Sequence, residues 1–249
     1  MLGLPPEVTA CLFDLDGVLT QTAAVHRAAW KETFDDFLRR RAERNGEAFE
    51  PFDADRDYNE YVDGRPRADG VRTFLSSRGI SVPAGVPEDP PGRDTVYGIG
   101  NRKNEIVQRR LRRDGVQVYE GSVAYARAAR EAGLRVAIVS ASMNTRAVLD
   151  AAGLADLPEV VVDGVMAAAK GLVGKPDPDT FLIAAGMLQV TPGQAAVFED
   201  AVAGVEAGRA GGFRFVVGVD RVGQADALRS RGADVVVSDL AELRDKEPT

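Results

Sequence analysis

Asp14 and Asp16 stand two residues apart in Phe13-Asp14-Leu15-Asp16-Gly17, directly after the apolar run Ala10-Cys11-Leu12. A run over residues 8–13 that ends in acidic residues and then glycine predicts a buried strand meeting a tight turn. Two carboxylates so close at a strand mouth are costly to keep ionised together unless a cation or a shared proton compensates. Alone, the pair would merely open a turn and cap the next helix. It is not alone. The apolar run Val136-Ala137-Ile138-Val139 ends in Ser140-Ala141-Ser142, and Ala195-Ala196-Val197-Phe198 ends in Glu199-Asp200. Lys175 lies in Gly174-Lys175-Pro176-Asp177-Pro178, a stiff turn ahead of a helix starting near Asp179. Taken singly, Lys175 reads as a solvated turn lysine and Ser140 as a helix N-cap. Gathered at one sheet edge, these groups form a pocket of four carboxylates, a lysine and a hydroxyl. Such an acidic cluster needs a hard divalent cation, and an oxygen-rich site with retained waters suits Mg²⁺.

The elements that must position these groups fall into two textures. From Tyr119 onward, short apolar runs at 135–140, 160–162, 195–198, 213–219 and 234–237 alternate with helical stretches. The helical stretches cover 122–132, 145–152, 179–188, 202–210 and 225–231. This alternation predicts an α/β fold with a mostly parallel sheet covered on both faces. The first strand has no partner of its own and must join that sheet. Between them, residues 23–113 read as helical. Val25, Ala29, Trp30, Phe34, Phe37 and Leu38 recur at helical spacing until Asn45-Gly46. Tyr58 and Tyr61 anchor a short helix, and 69–77 forms another with Asp69 as its N-cap. Residues 81–94, with four prolines and two glycines, form a loop free to move. Residues 101–113 form a strongly basic helix.

Length and charge narrow the function classes. The 249 residues can hold one large or two smaller domains, and the net charge of −7 argues against a general nucleic-acid binder. No window approaches eighteen consecutive apolar residues, and residues 1–6 lack the features of a secretory signal. Cys11 is the only cysteine, so no internal disulfide is possible; inside the first strand it is expected to be inert core. A cytoplasmic, monomeric protein without membrane contact is the expectation.

The motifs, in this order, resemble those of the haloacid dehalogenase superfamily, and within it the β-phosphoglucomutase-like branch. The family's D-x-D-G is matched by Asp14-Leu15-Asp16-Gly17, its second-strand hydroxyl by Ser140, its Lys-Pro by Lys175-Pro176 and its acidic pair by Glu199-Asp200. The resemblance implies a doubly wound, Rossmannoid parallel sheet with a helical cap inserted after the first strand. The core would comprise residues 1–22 and 114–249, and the cap residues 23–113. It also implies a phosphotransferase in which Asp14 is the nucleophile, forming an aspartyl-phosphate, and Asp16 the general acid and base. Mg²⁺ would be held by Asp14, Asp200 and the main-chain carbonyl of Asp16, with Glu199 close by. Ser140 would donate to a phosphoryl oxygen, and Lys175 would offset charge on the phosphate and Asp14.

In the cap, Thr22, His26 and Trp30 match the mutase's first segment, where the histidine couples sugar binding to the acid/base aspartate. Arg67, in Gly64-Arg65-Pro66-Arg67, aligns with an arginine that grips the phosphate not transferred. Lys103, in Arg102-Lys103-Asn104, aligns with a lysine that reaches sugar hydroxyls. Read without the family, His26 is a packing histidine, Arg67 an exposed turn arginine, and Lys103 part of a solvated basic face with Arg109, Arg110, Arg112 and Arg113. Ser142 and Asn144 keep the loop's polar groups for substrate binding, but Met143 stands where the mutase has a phosphate-holding lysine. Arg146 or another group then substitutes, or the substrate differs. Gln21 replaces an acidic residue, and the proline-rich loop lengthens the cap.

The expected substrate is a small phosphorylated sugar, with a sugar bisphosphate as activator. A mutase would interconvert hexose 1-phosphate and 6-phosphate, and must let sugar rather than water intercept the aspartyl-phosphate. The alternative is a sugar-phosphate phosphatase with the same core chemistry. A non-catalytic nucleotide-binding domain fails, because no G-x-G-x-x-G follows the first strand and Gly174-Lys175-Pro176 is not a P-loop.

Overall fold

Ala10–Phe13 is fully buried and forms β1, the central strand of a six-stranded sheet. The computed structural model describes residues 2–244. Helices α1 (Thr22–Asn45), α2 (Arg67–Ser77) and α3 (Val96–Asp114) follow, with a π-helical turn at Tyr58–Val62 between α1 and α2. The remaining order is α4 (Glu120–Glu131), β2 (Arg135–Val139), α5 (Thr145–Ala151), β3 (Val160–Val162), α6 (Gly164–Lys170) and α7 (Asp179–Met187). It continues with β4 (Ala195–Glu199), α8 (Val202–Ala210), β5 (Phe215–Val219), α9 (Ala225–Ser230) and β6 (Val235–Val237), and a 3₁₀ turn at Leu240–Leu243 follows. The chain divides into two compact units, Met1–Gln21 with Val116–Thr249, and Thr22–Gly115.

In the first unit the strand order is β3-β2-β1-β4-β5-β6, and every pairing is parallel. The order reverses at β1, which lies between β2 and β4. In doubly wound sheets the crevice at the strands' carboxyl ends beside such a reversal is where ligands bind. Both faces of β1 are covered, which is why it reads as an unbroken apolar run. Ala10 and Leu12 join a cluster with Val139, Phe181 and Val197. On the other face Phe13 stacks on Phe198 at 4.4 Å, with Tyr125 edge-on at 6.4 Å. Cys11 is buried, and burial pushes its thiol up, as an inert core cysteine requires.

The strand begins two residues later than residue 8, because the Val8 amide closes a turn onto Pro5. Helix α6 is an addition to the sequence expectation. It is seven residues long, has no buried residue, and owes its start to Asp163, whose side chain accepts from the Met166 amide at 2.8 Å.

The second unit is built on aromatic packing. Phe34 of α1 lies 5.0 Å from Trp30, 5.1 Å from Phe52 and 4.2 Å from Phe74 of α2. Helix α2 starts at Arg67 with Pro66 at the cap position, so Asp69 is not its N-cap; the Asp69 and Gly70 amides bond to the Pro66 carbonyl. Helix α3 begins at Val96, a turn before Asn101, and is capped by Thr95 Oγ1 accepting from the Gly98 amide at 3.0 Å. Gly98 and Gly100 hid that turn from a propensity reading. Among the described residues, no helix is long and apolar enough to cross a membrane.

Candidate active site

Three strand ends and one loop bring the core residues together. Main-chain pairing carries Asp14 off the end of β1, its amide bonding to the Phe198 carbonyl at 2.9 Å, and Ser140 off the end of β2, its amide bonding to Val162. Glu199 closes β4 and Asp200 follows it. Lys175 reaches in from the loop between α6 and α7. Its Nζ lies 2.5 Å from Asp14 Oδ1, 2.5 Å from Glu199 Oε1 and 3.1 Å from the Val139 carbonyl. The residue is only 3% exposed, so it is no solvated turn lysine. Burial alone would lower its pKa, but Asp14 and Glu199 more than offset that and keep the amine charged.

The acidic side of the cluster is left in surplus. Burial pushes the Asp14 carboxyl well above the usual carboxylate range; Lys175 opposes this, while Glu199 and Asp16 add to it. Asp14, Glu199 and Asp200 each place an oxygen within 4.8 Å of the others. All three are buried, and one ammonium cannot balance them together with Asp16. An all-oxygen set of this kind fits a hard divalent cation such as Mg²⁺. The Asp16 carboxylate is not in that group; it accepts from Ser140 Oγ at 3.3 Å. Ser140 Oγ also accepts from the Ser142 amide at 3.1 Å, so it organises the strand-end loop and caps no helix. Ser142 Oγ accepts from the Asn144 amide, and Asn144 occupies the N-cap of α5. Met143 is half exposed. Arg146, one candidate to replace the missing lysine, has its Nε 3.2 Å from Asp163 Oδ2.

The cap candidates all belong to the second unit. Lys103 turns inward from α3, 7% exposed, with Nζ 2.8 Å from His26 Nδ1 and 5.0 Å from the Trp30 ring centre. An ammonium has only donors, so His26 Nδ1 is the acceptor in this pair. Thr22, the first residue of α1, is also buried. The arginines around Lys103 go elsewhere: Arg102 pairs with Glu105, and Arg109 and Arg110 both pair with Glu32. The basic stretch is therefore a partly paired outer face and an inward lysine. Arg67 has its Nη2 3.2 Å from Asn101 Oδ1, and burial lowers its pKa.

A family model for haloacid dehalogenase-like hydrolases matches residues 8–212. The chain belongs to the haloacid dehalogenase-like family. Among its relatives, a β-phosphoglucomutase of Mycobacterium bovis is 58% identical over 98% of this chain and 94% of its own. A β-phosphoglucomutase of Bacillus subtilis is 31% identical over 94% of this chain and 91% of its own. A crystal structure of β-phosphoglucomutase from Clostridium difficile superposes with a TM-score of 0.72 at 26% identity, covering 95% of this chain and 93% of that one. This haloacid dehalogenase-like protein is therefore an enzyme, a β-phosphoglucomutase homologue of the isomerase-or-phosphatase kind.

Two residues of this family member escaped the reading of motifs. Arg221, past the end of β5, donates from Nε to the Gly17 carbonyl at 2.9 Å and from Nη2 to the Val18 carbonyl at 3.2 Å. Gln224 donates to the Asp200 carbonyl at 2.8 Å. Together they hold the backbone on which Asp16 and Asp200 sit. Gly17 has φ +95°, and a Cβ there would lie 1.8 Å from Asp200 Oδ2. Only glycine allows that approach. Applied to β5, the strand-end rule that found Ser140 and Glu199 points to Asp220 and only to the neighbourhood of Arg221.

Proposed function

We propose that this enzyme is a Mg²⁺-dependent β-phosphoglucomutase that interconverts hexose 1-phosphate and hexose 6-phosphate. The observation that carries the reading is 58% identity along 98% of the chain to the Mycobacterium bovis β-phosphoglucomutase. The chemistry follows from the cluster. An oxygen of Asp14 attacks phosphorus, the bond from phosphorus to the sugar oxygen breaks, and Asp16 gives that oxygen its proton. In the second half, the free hydroxyl of a hexose monophosphate gives its proton to Asp16 and attacks phosphorus, and the bond from phosphorus to Asp14 breaks, leaving hexose bisphosphate and the Asp14 carboxylate. Ser140 turns its one hydroxyl proton from Asp16 to a phosphoryl oxygen, and Lys175 opposes the burial that raises the Asp14 carboxyl and offsets phosphoryl charge. Asp14, Asp200 and the Asp16 carbonyl would hold Mg²⁺, with Glu199 anchored beside them by Lys175 and the Ala201 amide. The ion supplies charge neutralisation and orientation of the phosphoryl group. His26, Trp30, Lys103 and Thr22 bind the sugar, Arg67 the phosphate not in transit, and Ser142 and Asn144 the substrate at the strand-end loop.

The second reading, a sugar-phosphate phosphatase, is favoured by Met143, a neutral residue at the position of a family lysine. A panel of hexose and disaccharide 1-phosphates, supplied with the matching bisphosphate, separates the two. Isomerisation without phosphate release supports the mutase. Steady release of inorganic phosphate from every substrate sinks it.

A further inference from the structure

The proline-rich stretch ahead of α3 is tied down rather than free, and its ties end on Arg67. Asp89, 4% exposed, is the knot: its Oδ2 accepts from Thr95 Oγ1 at 2.6 Å and from the Val86 amide at 3.2 Å, and its Oδ1 from Arg93 at 2.9 Å. Gly85 has φ +73°, and a Cβ there would lie 2.0 Å from Asp89 Oδ2 and 2.7 Å from Thr95 Oγ1, so the loop closes tightly on that carboxylate. The Thr95 hydroxyl that bonds Asp89 also caps α3. Asn101, one turn into α3, donates from Nδ2 to the carbonyls of Pro87 at 2.9 Å and Asp89 at 2.8 Å. Two carbonyl partners can receive only from the amide's nitrogen, so the orientation of Asn101 is fixed. Its Oδ1 is thereby turned to accept from Arg67 Nη2 at 3.2 Å. Gly100 completes the cradle: a Cβ there would lie 3.2 Å from Arg67 Cγ, so the arginine's stem lies across helix backbone with no side chain between.

A flexible arginine loses binding energy when several rotamers must be frozen on each encounter, and a pre-set guanidinium fork loses less. We propose that Asn101, locked by the loop at Pro87 and Asp89, is a positioning residue. It aims the Arg67 guanidinium at the phosphate not being transferred, and so sets selectivity for doubly phosphorylated sugars. The inference rests on the reading of Arg67 as a phosphate-binding residue.

The test compares Asn101→Ala, Asn101→Asp, Arg67→Ala and the Arg67→Ala/Asn101→Ala double variant. Each is assayed for phosphoryl transfer from a hexose 1,6-bisphosphate and from acetyl phosphate, a donor without a second phosphate. Asn101→Ala should raise KM for the bisphosphate about tenfold with kcat changed less than about threefold, as expected of lost pre-orientation. Its ratio of kcat/KM for bisphosphate over acetyl phosphate should fall by a similar factor. Asn101→Asp keeps an acceptor for Arg67 but cannot donate to the two carbonyls, so it should also lose selectivity. The double variant should be no worse than Arg67→Ala. Equal losses on both donors, or additive losses in the double variant, overturn the positioning role while leaving Arg67's own role standing. An unchanged bisphosphate KM in Arg67→Ala overturns the reading of Arg67 and this inference with it. Matching melting temperatures across the set identify folded variants, and the Asn101→Asp selectivity ratio decides the matter should Asn101→Ala melt early.

Discussion

Lys103 Nζ and His26 Nδ1 lie 2.8 Å apart, 77 residues separated in sequence. The pair joins α3 to α1, and the Trp30 ring lies 5.0 Å from the same amine. A buried lysine is costly to hold unless its charge is used or satisfied. Here Arg102 pairs with Glu105, Arg109 and Arg110 pair with Glu32, and Lys103 is buried.

Lys103→Met keeps the stem against Trp30 and removes the amine. On the proposed role it should lower kcat/KM for the hexose phosphate about a hundredfold, corresponding to about 2.7 kcal/mol of lost transition-state binding. Steady-state kinetics on the purified variant checks this. Kinetics equal to those of the parent enzyme would mark Lys103 as a packing residue.

Lys175 stands between two carboxylates at 2.5 Å each, all three side chains buried. Removing one partner of a buried ion pair leaves an uncompensated charge and costs about 3–5 kcal/mol. Lys175→Met should therefore lose stability of that order in urea unfolding without Mg²⁺, besides losing turnover. Near-parent stability would mean that the carboxylates share a proton rather than depend on the lysine.

Asp57 supplies a pH dependence within the second unit. Burial alone would raise its carboxyl, but the Asp53 amide, Arg78 and Arg56 more than offset that and hold it below the usual range. A carboxyl whose folded pKa is depressed stabilises the fold fully above its unfolded value, about 3.9, and loses that contribution as pH falls through the folded value. Asp57→Asn should thus cost about 2 kcal/mol at pH 7, the scale of a charged hydrogen-bond network. The gap to the parent protein should shrink below about pH 4. Urea unfolding of both proteins at a series of pH values reads this directly; a gap independent of pH would contradict it.

The strand ends were legible because burial on both faces forces apolar runs, and an acid, hydroxyl or glycine after such a run stands out. Asp14, Ser140 and Glu199 were each visible that way. Other features depended on contacts that composition does not report. The loop at 81–94 counts as prolines and glycines, yet Asp89 orders it through bonds to Val86, Arg93 and Thr95. The direction of Lys103 within a basic run was open, since four neighbouring arginines give the same pattern. Helix α6 has no fully buried residue and so leaves little periodicity to read. Arg221 contacts Gly17 across 204 residues of sequence, a pairing no local motif encodes.

The central claim is that Asp14 carries the phosphoryl group in transit and hands it to sugar. Rapid-quench peptide mapping after exposure to a radiolabelled hexose 1,6-bisphosphate, followed by a chase with unlabelled hexose 1-phosphate, measures this directly. The account predicts label on the Asp14 peptide that chases into hexose bisphosphate. Label on another residue, or label that leaves Asp14 only as inorganic phosphate, would contradict it.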